Sequence, residues 1–127
     1  MRRRTRRTTT PSLPHAFKCA AEGVAFAFKQ RNMRIDAGFA VAAVALGFAL
    51  RIDAPSWLAI VICIGAVMAA ETANTAIEAV VDLVSPEYHA LAKHAKDCAA
   101  GSALILAATS VVVAAIVFIP KIGELLC

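Results

Sequence analysis

The sequence predicts an all-α integral membrane protein, in which an amphipathic interfacial helix precedes three transmembrane helices. Of its 127 residues, 60% are hydrophobic and only 17% are charged, whereas soluble domains carry about 25% charged residues. The apolar residues are concentrated in three blocks separated by short polar stretches. A chain of this length forms a single domain. Lipid is therefore the expected solvent for residues 13–127, which we treat as one membrane-embedded domain.

The amino-terminal part of the chain is basic and then amphipathic. Residues 1–12 are rich in Arg and Thr and are expected to be disordered. Over residues 13–30, apolar side chains such as Phe17, Val24 and Phe28 recur at helical spacing, with Lys18 and Glu22 elsewhere on the wheel. This pattern predicts an interfacial helix. Because lipid-like blocks follow, the basic segment favours an anionic membrane surface as its partner and argues against nucleic acid.

Three predicted spans follow this helix. The first, 35–52, is built on "AGFAVAAVALGFAL". The turn "RIDAPS" leads into the second, 56–84, with Pro55 suited to a first helical turn and Pro86 suited to end the helix. A polar loop is expected at 85–97. The third span, 99–119, is expected to close at Pro120.

The distribution of positive charge predicts the orientation of the spans. Nine of the thirteen Lys and Arg residues precede Asp36, and two more lie in the 85–97 loop. Only Arg51 and Lys121 lie at the opposite ends of the spans. The positive-inside rule therefore places the amino terminus and the 85–97 loop in the cytoplasm and the carboxyl terminus outside.

The second predicted span ends in an acidic stripe, "ETANTAIEAVVD" at 71–82. At 100° per residue, Glu78 lies about 20° short of two full turns from Glu71. Asn74 and Asp82 follow at helical spacing, so the four side chains share one face. Ionised groups at this depth are costly and are usually functional. Pairing with nearby Lys or Arg remains the alternative interpretation, above all for Asp82.

This stripe suits divalent-metal and phosphate chemistry. Carboxylates are ligands that Mg²⁺ prefers, and Mg²⁺ commonly combines one or two of them with substrate phosphates. The deeper Glu71 could accept a proton from a lipid hydroxyl, and a lysine of the 85–97 loop could neutralise phosphate charge. No Walker, HExxH or GxSxG motif is present. From the residues alone, we expect a small membrane protein with an acidic, metal-binding site at the inner interface.

The stretch "ETANTAIEAVVDLVSPEYHALAKHAKDCAAGSALI" at 71–105 closely resembles the signature of the small prokaryotic diacylglycerol kinases, a family that includes undecaprenol kinases. "KQRNMRI" at 29–35 is similar to the family's segment before its first span. The form "SPEYHALAKHAKDCAAG" is nearer to the undecaprenol branch. The resemblance implies Mg²⁺-dependent transfer of phosphate from ATP to a membrane lipid alcohol. It also implies a homotrimer in the bacterial cytoplasmic membrane, with active sites between subunits.

The resemblance also implies roles for individual residues. Glu71 matches the family's catalytic base, Asn74 a polar residue beside it, and Glu78 a metal-binding carboxylate, while Asp82 matches a supporting acid. Gln30 stands where the family has its second metal-binding acid, and an amide oxygen is the weaker ligand. Five residues match the segment that contacts ATP: Glu87, Tyr88, His89, Lys96 and Asp97.

Two other functional classes remain open from the sequence. A small ion-coupled transporter would use Glu71 as an intramembrane charge carrier, but its acids would lie near the bilayer centre and it would not need the polar segment that follows. A structural or catalytically silent subunit would use the acids only for contacts between helices. The neutral Gln30 makes a silent family member the stronger form of this second alternative.

Overall fold

The computed structural model describes residues 12–126, which form four α-helices. These helices are α1 (Leu13–Ala27), α2 (Arg31–Ala49), α3 (Ala54–Val84) and α4 (Ala90–Leu126). The described part is all-helical, as the composition predicts. The expected disordered segment 1–12 lies outside the described residues, apart from Ser12.

Helix α1 begins with a proline in its first turn, where the missing N–H group costs nothing. It ends at Ala27, three residues before the expected end of the amphipathic helix, because residues 28–30 form a turn. Ala27 is fully buried, and α1 packs against α3. Leu13 and Phe17 remain exposed. This apolar surface is the face that the sequence predicts to lie on the membrane.

A tight turn reverses the chain between α2 and α3. Arg51 takes a left-handed backbone conformation with φ 49°, and Asp53 caps α3 by accepting a hydrogen bond from the backbone N–H of Ser56 at 3.1 Å. Hydrogen bonding from Ser56 lowers the pKa of Asp53. Gly47 is buried beside this turn, where a Cβ would lie 2.8 Å from the indole of Trp57. The closeness of the two helices here therefore depends on the missing side chain.

Helices α3 and α4 form an antiparallel hairpin and carry the main packing contacts of the chain. A small apolar core of Ile52, Ile60 and Phe118 joins the α2–α3 turn to the last turns of α4. Trp57 packs against this core and against Phe48, with ring centroids 4.7 Å apart. The core thus fixes the hairpin at one end and leaves the acidic stripe at the other end.

Helix α4 differs from the sequence expectation at both ends. It starts at Ala90, so the connection covers only residues 85–89 rather than 85–97. Residues 90–97 contain good helix formers, and Lys93 pairs with Asp97 at i,i+4 spacing. Polarity here marks where lipid ends, not where the helix ends. Pro120 lies inside the helix, which continues to Leu126. A proline removes one backbone hydrogen bond, a loss that membrane helices tolerate.

Three helices are long and apolar enough to cross a membrane, namely α2, α3 and α4. The nineteen residues of α2 rise about 28 Å, close to the thickness of a hydrocarbon core. Helices α3 and α4, with 31 and 37 residues, are long enough to extend beyond it. Most large apolar side chains on the three helices are exposed within the single chain. A membrane is the environment that such a surface requires.

Candidate active site

A polar cleft of about 200 Å³ lies between the start of α2 and the second half of α3. It forms because α2 and α3 run antiparallel, so that the first residues of α2 pass beside the acidic stripe. Seven residues line it: Gln30, Arg31, Asn32, Glu71, Asn74, Thr75 and Glu78. The cleft therefore combines two carboxylates, a guanidinium group and several amide or hydroxyl groups.

The inner wall of the cleft is buried. Glu71, Asn74 and Thr75 retain 7%, 7% and 5% of their surface, which makes them the buried polar residues of the described part. The Thr75 hydroxyl donates to the backbone carbonyl of Glu71 at 2.9 Å, within its own helix. The Glu71 carboxylate is left out of this bond and remains available to a ligand.

Asn74 and Glu78 form the part of the cleft best suited to a cation. The amide Nδ2 of Asn74 donates to Oε1 of Glu78 at 3.5 Å, which is a long hydrogen bond. Its buried Oδ1 has no hydrogen-bond partner in the part of the chain that the structure describes. A buried oxygen without a hydrogen bond is energetically costly, and such atoms often bind a water or an ion. Together with the Gln30 amide and the Glu78 carboxylate, it supplies the hard oxygen donors that Mg²⁺ prefers.

A dedicated protein cage for a metal is absent from residues 12–126, where no three His, Cys, Asp or Glu side chains converge. This finding is compatible with Mg²⁺, which usually keeps several waters and shares its coordination with substrate phosphates. The donor set in the cleft fits a magnesium ion held in that way.

One turn beyond the cleft, Asp82 and Lys96 form an ion pair between α3 and α4. Lys96 Nζ lies 2.9 Å from Oδ1 of Asp82, and neither residue lines the cleft. The pair ties the start of α4 to the end of α3. Asp82 therefore pairs with a nearby lysine, as its alternative interpretation has it. The same contact engages the Lys96 amine.

The other residues that the resemblance assigns to ATP lie on or near the α3–α4 connection. Glu87, Tyr88 and His89 are exposed there, and Asp97 is exposed on α4. His89 accepts a hydrogen bond from the backbone N–H of Leu91 at 3.2 Å through Nδ1. The structure does not bring these four residues into the lining of the cleft. It brings together Gln30, Glu71, Asn74 and Glu78.

Three cleft residues were not among the sequence-predicted site residues, namely Arg31, Asn32 and Thr75. Thr75 lies four residues after Glu71, so the helical spacing of the stripe also indicates it. The position of Arg31 next to Gln30 is a signal that could have identified it as a site residue. From the sequence alone it counts only as one of the nine Lys and Arg residues before Asp36. Its place in the cleft depends on the packing of α2 against α3.

A second cavity, of about 510 Å³, lies along α2, α3 and α4 and is lined mostly by apolar side chains. Val67 and Met68 line it one turn before Glu71, and Asp36 of α2 lies in the same wall. This apolar groove extends into the region of the chain that is expected to lie in lipid.

Comparison with known proteins identifies the chain. Residues 18–118 match the family model described as prokaryotic diacylglycerol kinase. The chain belongs to this family. Its match covers α2, α3 and most of α1 and α4, including every residue that lines the polar cleft.

Curated relatives of this diacylglycerol kinase family member carry two names. An undecaprenol kinase of Bacillus subtilis is 38% identical over 93 residues, or 73% of this chain and 76% of the relative. A diacylglycerol kinase of Synechocystis is 40% identical over 118 residues, or 91% of this chain and 67% of the relative. The diacylglycerol kinase of Escherichia coli K12 is 38% identical over 87 residues, or 68% and 66%. Family and names together support a prokaryotic lipid kinase in a bacterial membrane.

Proposed function

We propose that this protein transfers the γ-phosphate of ATP to the hydroxyl group of a membrane lipid alcohol, with Mg²⁺. The observation that carries the proposal is the placement of the polar cleft one helical turn from the apolar groove on α3. A lipid with its chain along the groove would present its hydroxyl group to Glu71. Diacylglycerol and undecaprenol, the lipids in the relatives' names, both meet this description.

Four of the seven cleft residues have a role in this reaction. Glu71 takes the proton of the lipid hydroxyl, as a general base positioned within reach of the reacting oxygen. Glu78, with the amide oxygens of Asn74 and Gln30, would hold Mg²⁺. When bound, the ion neutralises charge on the phosphates. Phosphoryl transfer depends mainly on positioning and charge neutralisation, so a short helical chain can supply what the reaction needs.

The assembly and orientation are part of the same proposal. The Lys and Arg distribution supports a cytoplasmic amino terminus and α3–α4 connection, with the carboxyl terminus outside. The cleft then opens on the side where ATP is available. The family resemblance supports a homotrimer. Contacts to ATP from Glu87, Tyr88, His89, Lys96 and Asp97 are proposed on that resemblance, and a rearranged or neighbouring subunit would have to bring them to the cleft.

A phosphorylation assay in mixed micelles tests this function. The purified protein is given ATP and Mg²⁺ with diacylglycerol or undecaprenol in parallel. Turnover of one lipid is expected, and it identifies the substrate. Glu71→Gln is expected to lower kcat by about 10²–10⁴-fold, the range for loss of a general base.

Glu124→Gln provides the matched control, because Glu124 is an exposed acid paired with Lys121 at the far end of α4. It should leave turnover unchanged. No turnover of either lipid by an intact, oligomeric wild-type protein would refute the proposal and favour a catalytically silent family member.

A further inference from the structure

Arg31 is a cation in the polar cleft that has no side-chain partner among the residues that the structure describes. It is the first residue of α2 and lines the cleft with Glu71 and Glu78. Within residues 12–126 its guanidinium group makes neither an ion pair nor a side-chain hydrogen bond. Its side chain is exposed. The guanidinium group can therefore bind a ligand without first breaking an internal contact.

The backbone N–H groups at the start of α2 are likewise available to a ligand. Gln30 occupies the N-cap of α2, but its side chain makes no capping hydrogen bond. The first N–H groups of a helix have no partner within the helix, and they carry the positive end of the helix dipole. Such a helix start suits an anion, phosphate above all.

The opposite wall of the cleft supplies independent support for a ligand. Asn74 is more than nine-tenths buried, lines the cleft, and leaves its Oδ1 without a partner in the described part of the chain. An amide oxygen accepts hydrogen bonds and binds cations. One wall of the cleft is thus ready for a cation and the other for an anion, which is the arrangement that a magnesium-bound phosphate requires.

We infer that Arg31, with the free N–H groups at the start of α2, binds the phosphoryl group that is transferred. This inference rests on the proposed function. In the reaction, the lipid oxygen forms a bond to the γ-phosphorus while the bond from that phosphorus to the β,γ-bridging oxygen breaks. The hydroxyl proton passes to Glu71, and ADP leaves with the electron pair. Arg31 contacts the non-bridging oxygens, where its fork of N–H donors matches phosphate geometry.

This assignment differs from the one that the family resemblance gives to Lys96. The Lys96 amine is held at 2.9 Å by Asp82 and lies outside the lining of the cleft. Arg31 lines the cleft and pairs with no side chain in the described part of the chain. Of the two cations, Arg31 is therefore the one placed beside Glu71 and Glu78.

Nucleotide binding to the full-length protein in micelles tests the inference. Calorimetric titrations with Mg²⁺ use a β,γ-imido analogue of ATP and, separately, ADP, which lacks the γ-phosphate. Arg31→Gln is expected to weaken binding of the triphosphate analogue by about tenfold or more, the effect of losing a charge-assisted hydrogen bond. Its ADP binding should be nearly unchanged. Arg31→Lys keeps the positive charge but not the fork of N–H donors, so its affinity for the triphosphate analogue should lie between those of the wild type and Arg31→Gln.

Arg34→Gln is the matched control, because Arg34 is exposed on the same helix and does not line the cleft. It should bind both nucleotides as the wild type does. The inference is overturned if Arg31→Gln weakens both nucleotides equally or neither, or if Arg34→Gln shows the same loss. In those cases, wild-type turnover of lipid still upholds the proposed function. If the wild type binds no nucleotide and phosphorylates no lipid, both fail together.

Discussion

Replacing Asn74 by leucine is expected to make the protein more stable and less active. Asn74 is buried in α3 and shares its branched side-chain outline with leucine, so the substitution removes polarity more than shape. Polar groups that a fold buries without partners persist where function requires them, and their removal commonly raises stability at the expense of activity. The direction of the stability change is therefore informative.

The magnitude of the stability change follows from the two polar atoms of the Asn74 amide. A buried polar group without a partner costs about 1–3 kcal/mol, and the Oδ1 of Asn74 is such a group within residues 12–126. The opposing loss is the hydrogen bond from Nδ2 to Glu78, which at 3.5 Å is at the outer limit of the range and contributes no more than about 0.5 kcal/mol. Asn74→Leu should therefore raise the free energy of unfolding by about 0.5–2.5 kcal/mol.

Equilibrium unfolding by dodecyl sulfate in mixed micelles measures the change in stability. The Mg²⁺ dependence of turnover measures the change in activity. Thr75→Val is the control, because Thr75 is an equally buried neighbour whose hydroxyl is satisfied by Glu71. It should lower stability by no more than about 1 kcal/mol. A destabilised Asn74→Leu protein with a normal Mg²⁺ requirement would show that Asn74 is structural, and the reasoning about its free oxygen would be wrong.

Two further substitutions test the packing and the charge of the cleft. Gly47→Ala should lower the free energy of unfolding by about 1–3 kcal/mol, because the added Cβ would lie 2.8 Å from the Trp57 indole and 3.1 Å from Ile52. Gly65→Ala is the control, because a Cβ at Gly65 meets nothing within 4 Å. In the same unfolding assay it should leave stability unchanged or raise it. Gln30→Glu should lower the Mg²⁺ concentration for half-maximal turnover, and tighten Mn²⁺ binding seen by electron paramagnetic resonance, by about tenfold or more through the added charge. Unchanged Mn²⁺ binding would place Gln30 away from the cation.

The sequence predicts the helices well where hydropathy and turn residues agree. Pro55 marks the start of the second span, which begins at Ala54 rather than at the expected residue 56. The third span shows the limit of this reasoning. Its first turns are polar, and this polarity predicts a loop. The Ala, Leu and Lys residues there are good helix formers, however, and they continue the helix outside lipid. Pro120 likewise predicts a helix end, but inside α4 it only removes one backbone hydrogen bond.

The candidate site could be predicted only in part, because three of its seven residues lie at the start of a different helix. Helical periodicity places Glu71, Asn74 and Glu78 on one face, and the structure has all three lining one cleft. Periodicity also extends this face to Asp82, but the ion pair with Lys96 depends on how α4 crosses α3, which the pattern of one helix does not contain. The same limit applies to Arg31, whose importance depends on the approach of α2.

The charges around the acidic stripe divide into a satisfied set and an unsatisfied set. At the end of α3, Asp82 and Lys96 neutralise each other across the hairpin. Deeper in the chain, Glu71 and Glu78 line a cleft with Arg31, and no ion pair forms among them. Opposite charges that line one cleft without pairing each keep the capacity to bind a ligand group of the opposite sign. A magnesium-bound phosphate carries both signs of charge, and it is the ligand that the proposed function assigns to these three side chains.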